Sequence, residues 1–523
     1  MKLKLKNLNL EKAALFFIFL HLGIWGLVSL GFDVHADMAD HWMAGRIFSL
    51  GYYEHPPMIS WLMSLVNLWV FIFPFFSVVA VLKIFSLLVH GCILYQAFRW
   101  ARMIKPSISL PYLFFLTTGV YFSLGALFIN VDHPFLFFWI LASIQFTQFL
   151  KTKHHKNLWF LGLYLGLAAL SKYTALLFYL GLFVFGFFTW KKEKLLQNPH
   201  FWLAGAISLA VFSPVLYWNF ENQFVSFLYQ IQRGFTGNKL IFNFFNFHLS
   251  HLLLFSPFFG ILAWVTFFAP EKKIALDALQ KKDVSQENFL QNLQLFLRIQ
   301  ILLPLIFFGL ASFRGAISDP KWLNISYISL FLFFLFFQPD AKPQEKESFF
   351  SFLKKPTWLL VYAINLFLAG FIFIQGRYNL FSIPQTAQVK LEETQGWEET
   401  NSQLDAFFEH LNLPFPRYVI TREYQLGAWF ALYNSHHPFT YSLEKEKRNL
   451  WSPIFLVEIL GAVVICPMEE CEQTLLFSQE TFEASEDDFS YLGTLEYRFS
   501  SGRTRSFAVY HYQTANGTAS RKE

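Results

Sequence analysis

The chain has 523 residues, of which 54% are hydrophobic and only 15% are charged. Long apolar runs separated by short polar loops exclude a soluble globular protein, because such runs have the length that a hydrocarbon core of about 30 Å requires. The formal net charge is +5, and the basic residues form no patch interleaved with aromatic residues, so no nucleic-acid partner is predicted. The composition therefore predicts a polytopic membrane protein.

Eleven apolar segments predict a membrane domain that is entirely α-helical. They are residues 13–31, 80–98, 108–126, 133–150, 157–171, 173–189, 200–218, 247–268, 294–312, 322–338 and 357–375. The first segment follows a basic tail but lacks a small-residue cleavage site, so it is predicted to be a retained helix and not a signal peptide.

The distribution of Lys and Arg predicts the orientation of these segments, because cytoplasmic loops retain positive charge. With the N-terminus in the cytoplasm, the basic connections all fall inside; they are "RWARMIK", "KTKHHK", "KKEK", "EKKIALDALQKKD" and "KPQEKESFFSFLKK". Residues 32–57, 219–246 and 313–321, and those after about 376, then lie outside. The chain is predicted to be a multi-pass protein of the cell (inner) membrane.

The first outer loop concentrates acids, histidines and aromatic residues in "FDVHADMADHWMAGRIFSLGYYEHPPMISWL", residues 32–62. Ionisable groups beside a bilayer are costly unless they are solvated, paired or functional, so the stretch is either an ordinary solvated loop or a site. Pro56 and Pro57 are predicted to end the loop and start an amphipathic helix along the membrane interface. Carboxylates held at the membrane interface are suited to a reaction at a lipid head group. Asp33 and His35 are predicted to be solvated.

Residues 376–523 predict a small extracytoplasmic α/β domain, because charged residues return and the long apolar runs stop. Short strands are predicted at 417–421, 438–443 and 462–468, a helix at 424–434, and a hairpin from "LGTLEYRF" and "RSFAVYHY" joined by "SSGRT". Cys466 and Cys471 either form a disulfide or remain free thiols, and Cys92 is predicted to be a core residue. No spacing of the CxxC or HExxH kind predicts a metal site.

The stretch "DMADHWMAGRIFSLGYYEHPPMISWL" resembles the first external loop of GT-C class membrane glycosyltransferases. The similar branch contains the protein O-mannosyltransferases and the aminoarabinose transferase of lipid A, and is glycosyltransferase family 39-like in bacteria. Its pattern is approximately D-E-A-x-Y-W, eight or nine residues, then G-Y-Y-D-H-P-P. Counting back from Gly51, the resemblance assigns the catalytic aspartate to Asp37, with Trp42 in its usual place. Met38 replaces the usual Glu, and Asp40 or His41 is a candidate to replace its acid function.

Five further segments resemble the same family in the same order along the chain. They are "NVDHPFLFFW" with Asp132, "LSKYTALLF" with Lys172 and Tyr173, "SPVLYWNFENQFVSFLYQIQRG" with Arg233, "DPKWLNISY" with Lys321 in place of a His and Trp322 after it, and "YQLGAWFALYN". The resemblance covers nearly the whole chain. It implies a GT-C type membrane domain, residues 1–375, followed by the extracytoplasmic domain, residues 376–523.

The resemblance implies transfer of a sugar from a polyprenyl-phosphate carrier to an acceptor outside the cytoplasm. Asp37 would act as the base toward the acceptor oxygen, and Asp132 would hold the acceptor or fix a cation. The leaving phosphate requires positive charge, for which Lys172, Arg233 and either Lys83 or Arg314 are the candidates. The remaining candidate substrate-binding residues are Tyr173, Asp40, His41, Trp42, Tyr53, His55 and Trp322. No cofactor is assigned, and a divalent cation is left open.

Two structural explanations and two other functions remain alternatives. Asp132 is also the residue type expected to cap a helix before Pro134, and Lys172 the type expected to extend from an apolar surface to the membrane interface. A secondary transporter or a non-catalytic lipid-binding protein would also have many apolar helices, but a transporter usually carries repeats and mid-membrane charges. The acceptor, whether lipid A, another glycolipid, a glycan or a protein, is not predicted by residue spacing.

Overall fold

The computed structural model describes residues 2–233, 240–255, 257–268, 284–313, 319–337, 377–443 and 462–513, with scattered positions between 363 and 375 and at 457. The chain divides into two compact units. The first comprises Met1–Gly26, Glu54–Met58 and Ser86–Leu368, and the second comprises Leu27–Tyr53, Ile59–Phe85 and Ala369–Glu523. Each unit is therefore assembled from separate stretches of the sequence.

Helices account for nearly all of the described residues before 337. In chain order they are α1 Lys2–Ser29, α2 Ala36–Ala44, α3 Met58–Ile72, α4 Val78–Ile104, α5 Ser109–Thr118, α6 Val120–Leu124, α7 Asp132–Thr152, α8 Lys156–Ser171, α9 Leu176–Phe188, α10 Pro199–Glu221, α11 Val225–Arg233, α12 Leu240–Leu254, α13 Pro257–Phe268, α14 Val284–Phe313 and α15 Asn324–Phe336. Short 3-10 turns precede α5, α9, α10 and α15. The expected all-α membrane domain is confirmed.

Five helices of the described part are long and apolar enough to cross a membrane. They are Leu10–Ser29, Val78–Ile104, Asp132–Thr152, Pro199–Glu221 and Gln286–Ser312, and four shorter apolar helices accompany them. The number of spans, eleven, stays a prediction, and the segment 357–375 lies almost entirely outside the described residues. The basic connections at 271–283 and 342–355 lie outside them as well.

Two of the predicted spans are interrupted in the structure. Gly119 has an extended backbone and separates α5 from α6. Segment 247–268 ends one helix at Leu254 and starts another at Pro257, where proline is tolerated because the first helical N–H groups need no intrahelical partner. Hydropathy could not predict these breaks, since both sides of each break are apolar.

The first unit is built around a continuous apolar core rich in aromatic side chains, including Trp100, Trp139 and Tyr327. Helices α8 and α10 approach closely because Gly162 and Gly166 face the backbone of α10, where a side chain would collide with Ala204 and Ser208. This is the small-residue spacing of four that lets apolar helices pack without a hydrophobic driving force.

The second unit contains a mixed five-stranded sheet with helices packed against it. Its later helices are α16 Gln385–Glu392, α17 Trp397–His410, α18 Tyr424–Tyr433 and α19 Cys471–Phe482, and its strands are β1 Tyr418–Thr421, β2 Phe439–Ser442, β3 Ala462–Pro467, β4 Phe489–Arg498 and β5 Thr504–Tyr512. The strand order is β2-β1-β3-β5-β4, with β1 parallel to both neighbours and β5 antiparallel to β3 and β4. The three predicted strands, the helix and the hairpin are confirmed.

The structure pairs Cys466 with Cys471 in a disulfide that joins the end of β3 to the start of α19. Both cysteines are buried beside Ala508 of β5. Cys92, by contrast, is an exposed residue of α4, so its prediction as core is wrong.

We predict that Cys466→Ala/Cys471→Ala lowers the stability of the sheet by about 2 kcal/mol, because the short loop gains freedom mainly in the unfolded chain. Thermal unfolding followed by sheet circular dichroism should show a lower midpoint. Cys92→Ala is the matched control and should leave that midpoint unchanged. An unchanged midpoint in the double variant would contradict the disulfide's stabilising role.

Candidate functional site

The candidate base, Asp37, lies in the first turn of α2 in the second unit. His35 occupies the N-cap position, and its Nδ1 accepts a hydrogen bond from the Asp37 N–H at 3.2 Å. An acid in the first turn of a helix is favoured by the exposed N–H groups there. His35 is half-buried, so its prediction as a solvated loop residue is wrong.

Three ionisable residues share one face of α2 because they are three and four positions apart. Asp37 is half-buried, while Asp40 and His41 are buried, with 4.0 Å between the Asp40 Oδ2 and His41 Nδ1 atoms. Met38, which replaces the family's usual Glu, is 0% exposed and packs in the core. Asp40 and His41 lie one turn after Asp37, and Asp40 is not on the side of Met38, so replacement of the missing Glu by either residue stays a prediction.

The far end of α2 is fixed by aromatic and cationic contacts within the second unit. The Trp42 ring lies 5.4 Å from the His437 ring, and the Arg46 guanidinium lies 5.4 Å from the Trp42 ring and 4.1 Å from Phe439. Arg46 also donates to the Pro438 carbonyl at 3.0 Å. Burial lowers the pKa of Arg46 to about 10. Trp42 and Arg46 therefore serve at least to attach α2 to the C-terminal domain.

The "GYYEHPP" segment has mixed roles. Tyr52 is buried and donates to the Ile47 carbonyl at 2.7 Å, which holds the turn after α2. Tyr53 and His55, both candidate binding residues, are half-buried. Glu54 accepts a hydrogen bond from Tyr229 of α11 at 3.0 Å within the first unit. Glu54 was missing from the predicted site, although it is the acid at the centre of the motif.

A buried ion pair forms the centre of the site in the first unit. The Lys172 Nζ donates to the Asp132 Oδ1 at 2.6 Å, and the two side chains are only 12% and 1% exposed. Asp132 is the first residue of α7, whose N-cap is Val131, so its carboxylate does not cap the helix. Among the described residues, the Asp132 Oδ2 has no hydrogen-bond partner. The capping explanation for Asp132 is therefore wrong.

Aromatic rings and a second ion pair adjoin Lys172. Its ammonium group lies 5.3 Å from the Trp322 ring and 5.9 Å from Phe135. Beside Trp322, the Lys321 Nζ contacts the Asp319 Oδ2 at 3.0 Å. An ammonium group has three N–H donors, and the bond to Asp132 takes one of them. Lys172 is therefore oriented by Asp132 and retains donor capacity.

The other predicted binding residues have different surroundings. The Tyr173 hydroxyl hydrogen-bonds the Ser226 hydroxyl at 2.7 Å, which joins the end of α8 to α11. Lys83 donates to the Ser29 and Phe32 carbonyls at 2.9 and 2.7 Å, where α1 ends. The Arg233 side chain and the whole of Arg314 lie outside the described residues.

Asp33, predicted to be solvated, is instead half-buried, and its Oδ2 accepts the Trp397 N–H at 2.9 Å. Burial raises its pKa, against the lowering effect of that hydrogen bond. No sequence signal predicts this contact, since the partners are 364 residues apart. Within the described part of the chain, no group of three His, Cys, Asp or Glu residues is arranged to hold a metal ion.

Comparison with known families gives one match. Residues 54–218 match the family model described as dolichyl-phosphate-mannose-protein mannosyltransferase. This region contains Asp132 and Lys172, and covers about a third of the chain. A sequence search of curated proteins finds no match.

Comparison with solved structures shows that the fold is similar to that of ArnT. The apo crystal structure of ArnT from Cupriavidus metallidurans matches with a TM-score of 0.60 and 13% identity over 95% of this chain and 97% of that one. ArnT from the same organism bound to undecaprenyl phosphate matches with a TM-score of 0.58 and 14% identity over 94% and 97%. The predicted resemblance to GT-C glycosyltransferases of the protein mannosyltransferase and ArnT type is confirmed by the family match together with the shared fold.

We predict that Lys172→Ala destabilises the first unit by about 3 to 5 kcal/mol, because it leaves the Asp132 carboxylate buried without its cation. Replacing both partners, as Asp132→Asn/Lys172→Met, should recover most of the loss. Tryptophan-fluorescence melting of the protein in lipid nanodiscs measures both effects.

Lys321→Ala is the matched control for this prediction. Its ion pair is more exposed, 29% and 38% for the two side chains, so the change should cost about 1 kcal/mol or less. A melting midpoint for Lys172→Ala equal to that of the control would contradict the importance of the buried pair.

Proposed function

We propose that this chain is a membrane glycosyltransferase that moves a glycosyl group from a polyprenyl-phosphate-linked sugar to an acceptor outside the cytoplasm. The observation that carries the proposal is the buried Asp132–Lys172 pair beside Trp322, in a chain with the ArnT fold. A buried ion pair is expensive to build and contributes little net stability, so its presence favours a functional explanation.

Asp37 is proposed to be the general base. The acceptor hydroxyl oxygen forms a bond to the anomeric carbon while the bond from that carbon to the phosphate oxygen breaks. The proton of the hydroxyl passes to the Asp37 carboxylate, and the lipid phosphate leaves with the electron pair. The position of Asp37 in the first turn of α2 supports this role, because a capped helix end holds a side chain in a defined direction. Proton removal of this kind typically contributes roughly 10² to 10⁴-fold to a rate.

Lys172 is proposed to receive the phosphate of the donor. Negative charge grows on the phosphate as the sugar leaves, so a fixed, partly desolvated cation stabilises the transition state more than the ground state. The hydrogen bond that Lys172 donates to the Asp132 carboxylate holds the ammonium group in a buried position. Arg233 is proposed as a second cation. ArnT is bound to undecaprenyl phosphate in one of its structures, which supports a lipid of this class as the carrier.

Asp37→Asn keeps the size of the side chain and removes the base, so product formation should fall by a factor of about 100 or more. The measurement is mass spectrometry of envelope lipids and glycans from a deletion strain that expresses each variant at matched levels. Binding of undecaprenyl phosphate, measured with the purified protein, should stay within about twofold of the parent value, because Asp37 acts on the acceptor.

Asp40→Asn is the informative companion, since that side chain lies one turn from Asp37 and can supply the acid lost at Met38. Near-parental product from Asp37→Asn together with none from Asp40→Asn would move the base by one helical turn. Parental product from both would leave α2 without a catalytic role. A parent strain whose envelope is identical to that of the deletion strain would instead favour lipid binding without transfer, or transport.

The topology proposed for this reaction has the N-terminus in the cytoplasm and the C-terminal domain outside it. The basic connections of the sequence support this orientation. A reporter that fluoresces only in the cytoplasm should stay dark when fused after residue 523, while a periplasmic enzyme fused there should be active. Fusions after Lys153, in a basic connection, are the control and should give the opposite pair of signals. The same signals from both fusions would overturn the topology and the proposed reaction side.

A further inference from the structure

Two residues just before α2 make four hydrogen bonds to later parts of the chain. We refer to Asp33 and Val34 as the strap. The Asp33 N–H donates to the Thr394 carbonyl at 2.8 Å, and the Asp33 Oδ2 accepts the Trp397 N–H at 2.9 Å. The Val34 N–H donates to the Tyr433 hydroxyl at 2.6 Å, and the Val34 carbonyl accepts the Trp429 Nε1–H at 2.8 Å. All six residues belong to the second unit.

The bond to Trp397 completes a helix end that lacks a cap of its own. Helix α17 begins at Trp397, and its N-cap is Gly396, which has no side chain to accept the first N–H groups. The Asp33 carboxylate supplies that acceptor from a distant part of the sequence, and a negative charge is favoured at this end of a helix. The strap is therefore part of the C-terminal domain's own hydrogen-bonding scheme.

Two of the residues that hydrogen-bond the strap, Trp397 and Trp429, stack on each other. The Trp397 and Trp429 rings lie face to face with 4.4 Å between their centroids. The Arg505 guanidinium lies 4.3 Å from the Trp397 ring, and it donates to the Gln395 carbonyl at 3.0 Å. Burial lowers the pKa of Arg505 to about 10. A stack of two indoles and a guanidinium leaves little freedom for the Trp429 N–H that binds the strap.

The strap leads directly into the proposed catalytic helix. His35, the N-cap of α2, follows Val34, and Asp37 lies two residues further on. No flexible glycine separates the strap from Asp37. A shift of the strap therefore moves the first turn of α2, and with it the Asp37 carboxylate.

We propose that the C-terminal domain positions Asp37 through this strap, with Asp33 and Tyr433 as positioning residues for the transfer reaction. Neither residue is assigned a part in the chemistry. The inference rests on the proposed function of Asp37. Whether the strap holds α2 in place can be tested independently of that function. A displacement of about 1 Å at a catalytic group can cost on the order of 100-fold in rate. A small displacement of α2 should therefore be measurable as a loss of product.

Tyr433→Phe tests the strap with the loss of a single oxygen atom. Hydrogen exchange should accelerate at residues 32–44 and stay unchanged in β1, β3 and β5. Product per protein in the complemented deletion strain should fall by roughly tenfold or more, while undecaprenyl phosphate binding stays within about twofold of the parent. Tyr418→Phe is the matched control, because Tyr418 lies in β1 of the same unit and takes part in none of the strap's four hydrogen bonds.

A second pair of variants distinguishes loss of the hydrogen bond to Trp397 from a general loss of stability. Asp33→Ala removes the acceptor for the Trp397 N–H, whereas Asp33→Asn retains an oxygen that accepts it. Asn should therefore restore product formation toward the parent level, and Ala should not.

Each outcome decides the proposal. Unchanged exchange at residues 32–44 in Tyr433→Phe would show that the strap does not hold α2. Faster exchange with parental product would show that holding α2 does not position Asp37. If the parent itself forms no product, the proposed function fails, and the exchange comparison alone then decides whether the strap holds the helix.

Discussion

The structure depends on one constraint, which is that a polar group taken out of water costs free energy unless it is paired. In the first unit the constraint acts on a charge, because the Asp132 carboxylate is 1% exposed and is matched by Lys172 at 2.6 Å. In the second unit it acts on the backbone of Asp33 and Val34 and on the Asp33 carboxylate, which are matched by Thr394, Trp397, Trp429 and Tyr433. Each such group left unpaired would lower the free energy of unfolding by about 1 to 3 kcal/mol or more. The pairing therefore favours contact between these distant segments. Both places contribute residues to the proposed reaction or lie beside them.

The apolar parts of the fold could be predicted from the sequence because their signals are local. Strands such as Ala462–Pro467 combine β-branched residues with flanking turn signals. The hairpin is predicted by a glycine between two aromatic-rich runs. The membrane helices follow from length and hydropathy alone. The breaks at Gly119 and before Pro257 do not, because hydropathy measures composition and a break depends on the hydrogen bonds that single residues make.

The candidate site was predictable only in part, for a related reason. Family-like motifs selected Asp37, Asp132 and Lys172, but no local pattern shows that Asp132 and Lys172 pair or that the carboxylate does not cap α7. Asp33 was missed because a charged loop residue is ordinarily solvated, and its partner is contributed by a helix 364 residues away. Glu54 was passed over in favour of its neighbours, and its contact with Tyr229 also spans a long stretch of chain. Residues whose roles depend on tertiary partners are those that a single sequence describes least well.

The long sequence separations in the strap also set an order of events during synthesis. Val34 and Tyr433 are 399 residues apart. At typical elongation rates of about 5 to 20 residues per second, the tyrosine is made on the order of 20 to 80 seconds after the strap it will bind. Throughout that interval the nascent chain carries Asp33, Val34 and α2 without the helices that hold them. The hydrogen bond between Val34 and Tyr433 can therefore form only after nearly 400 further residues have been made.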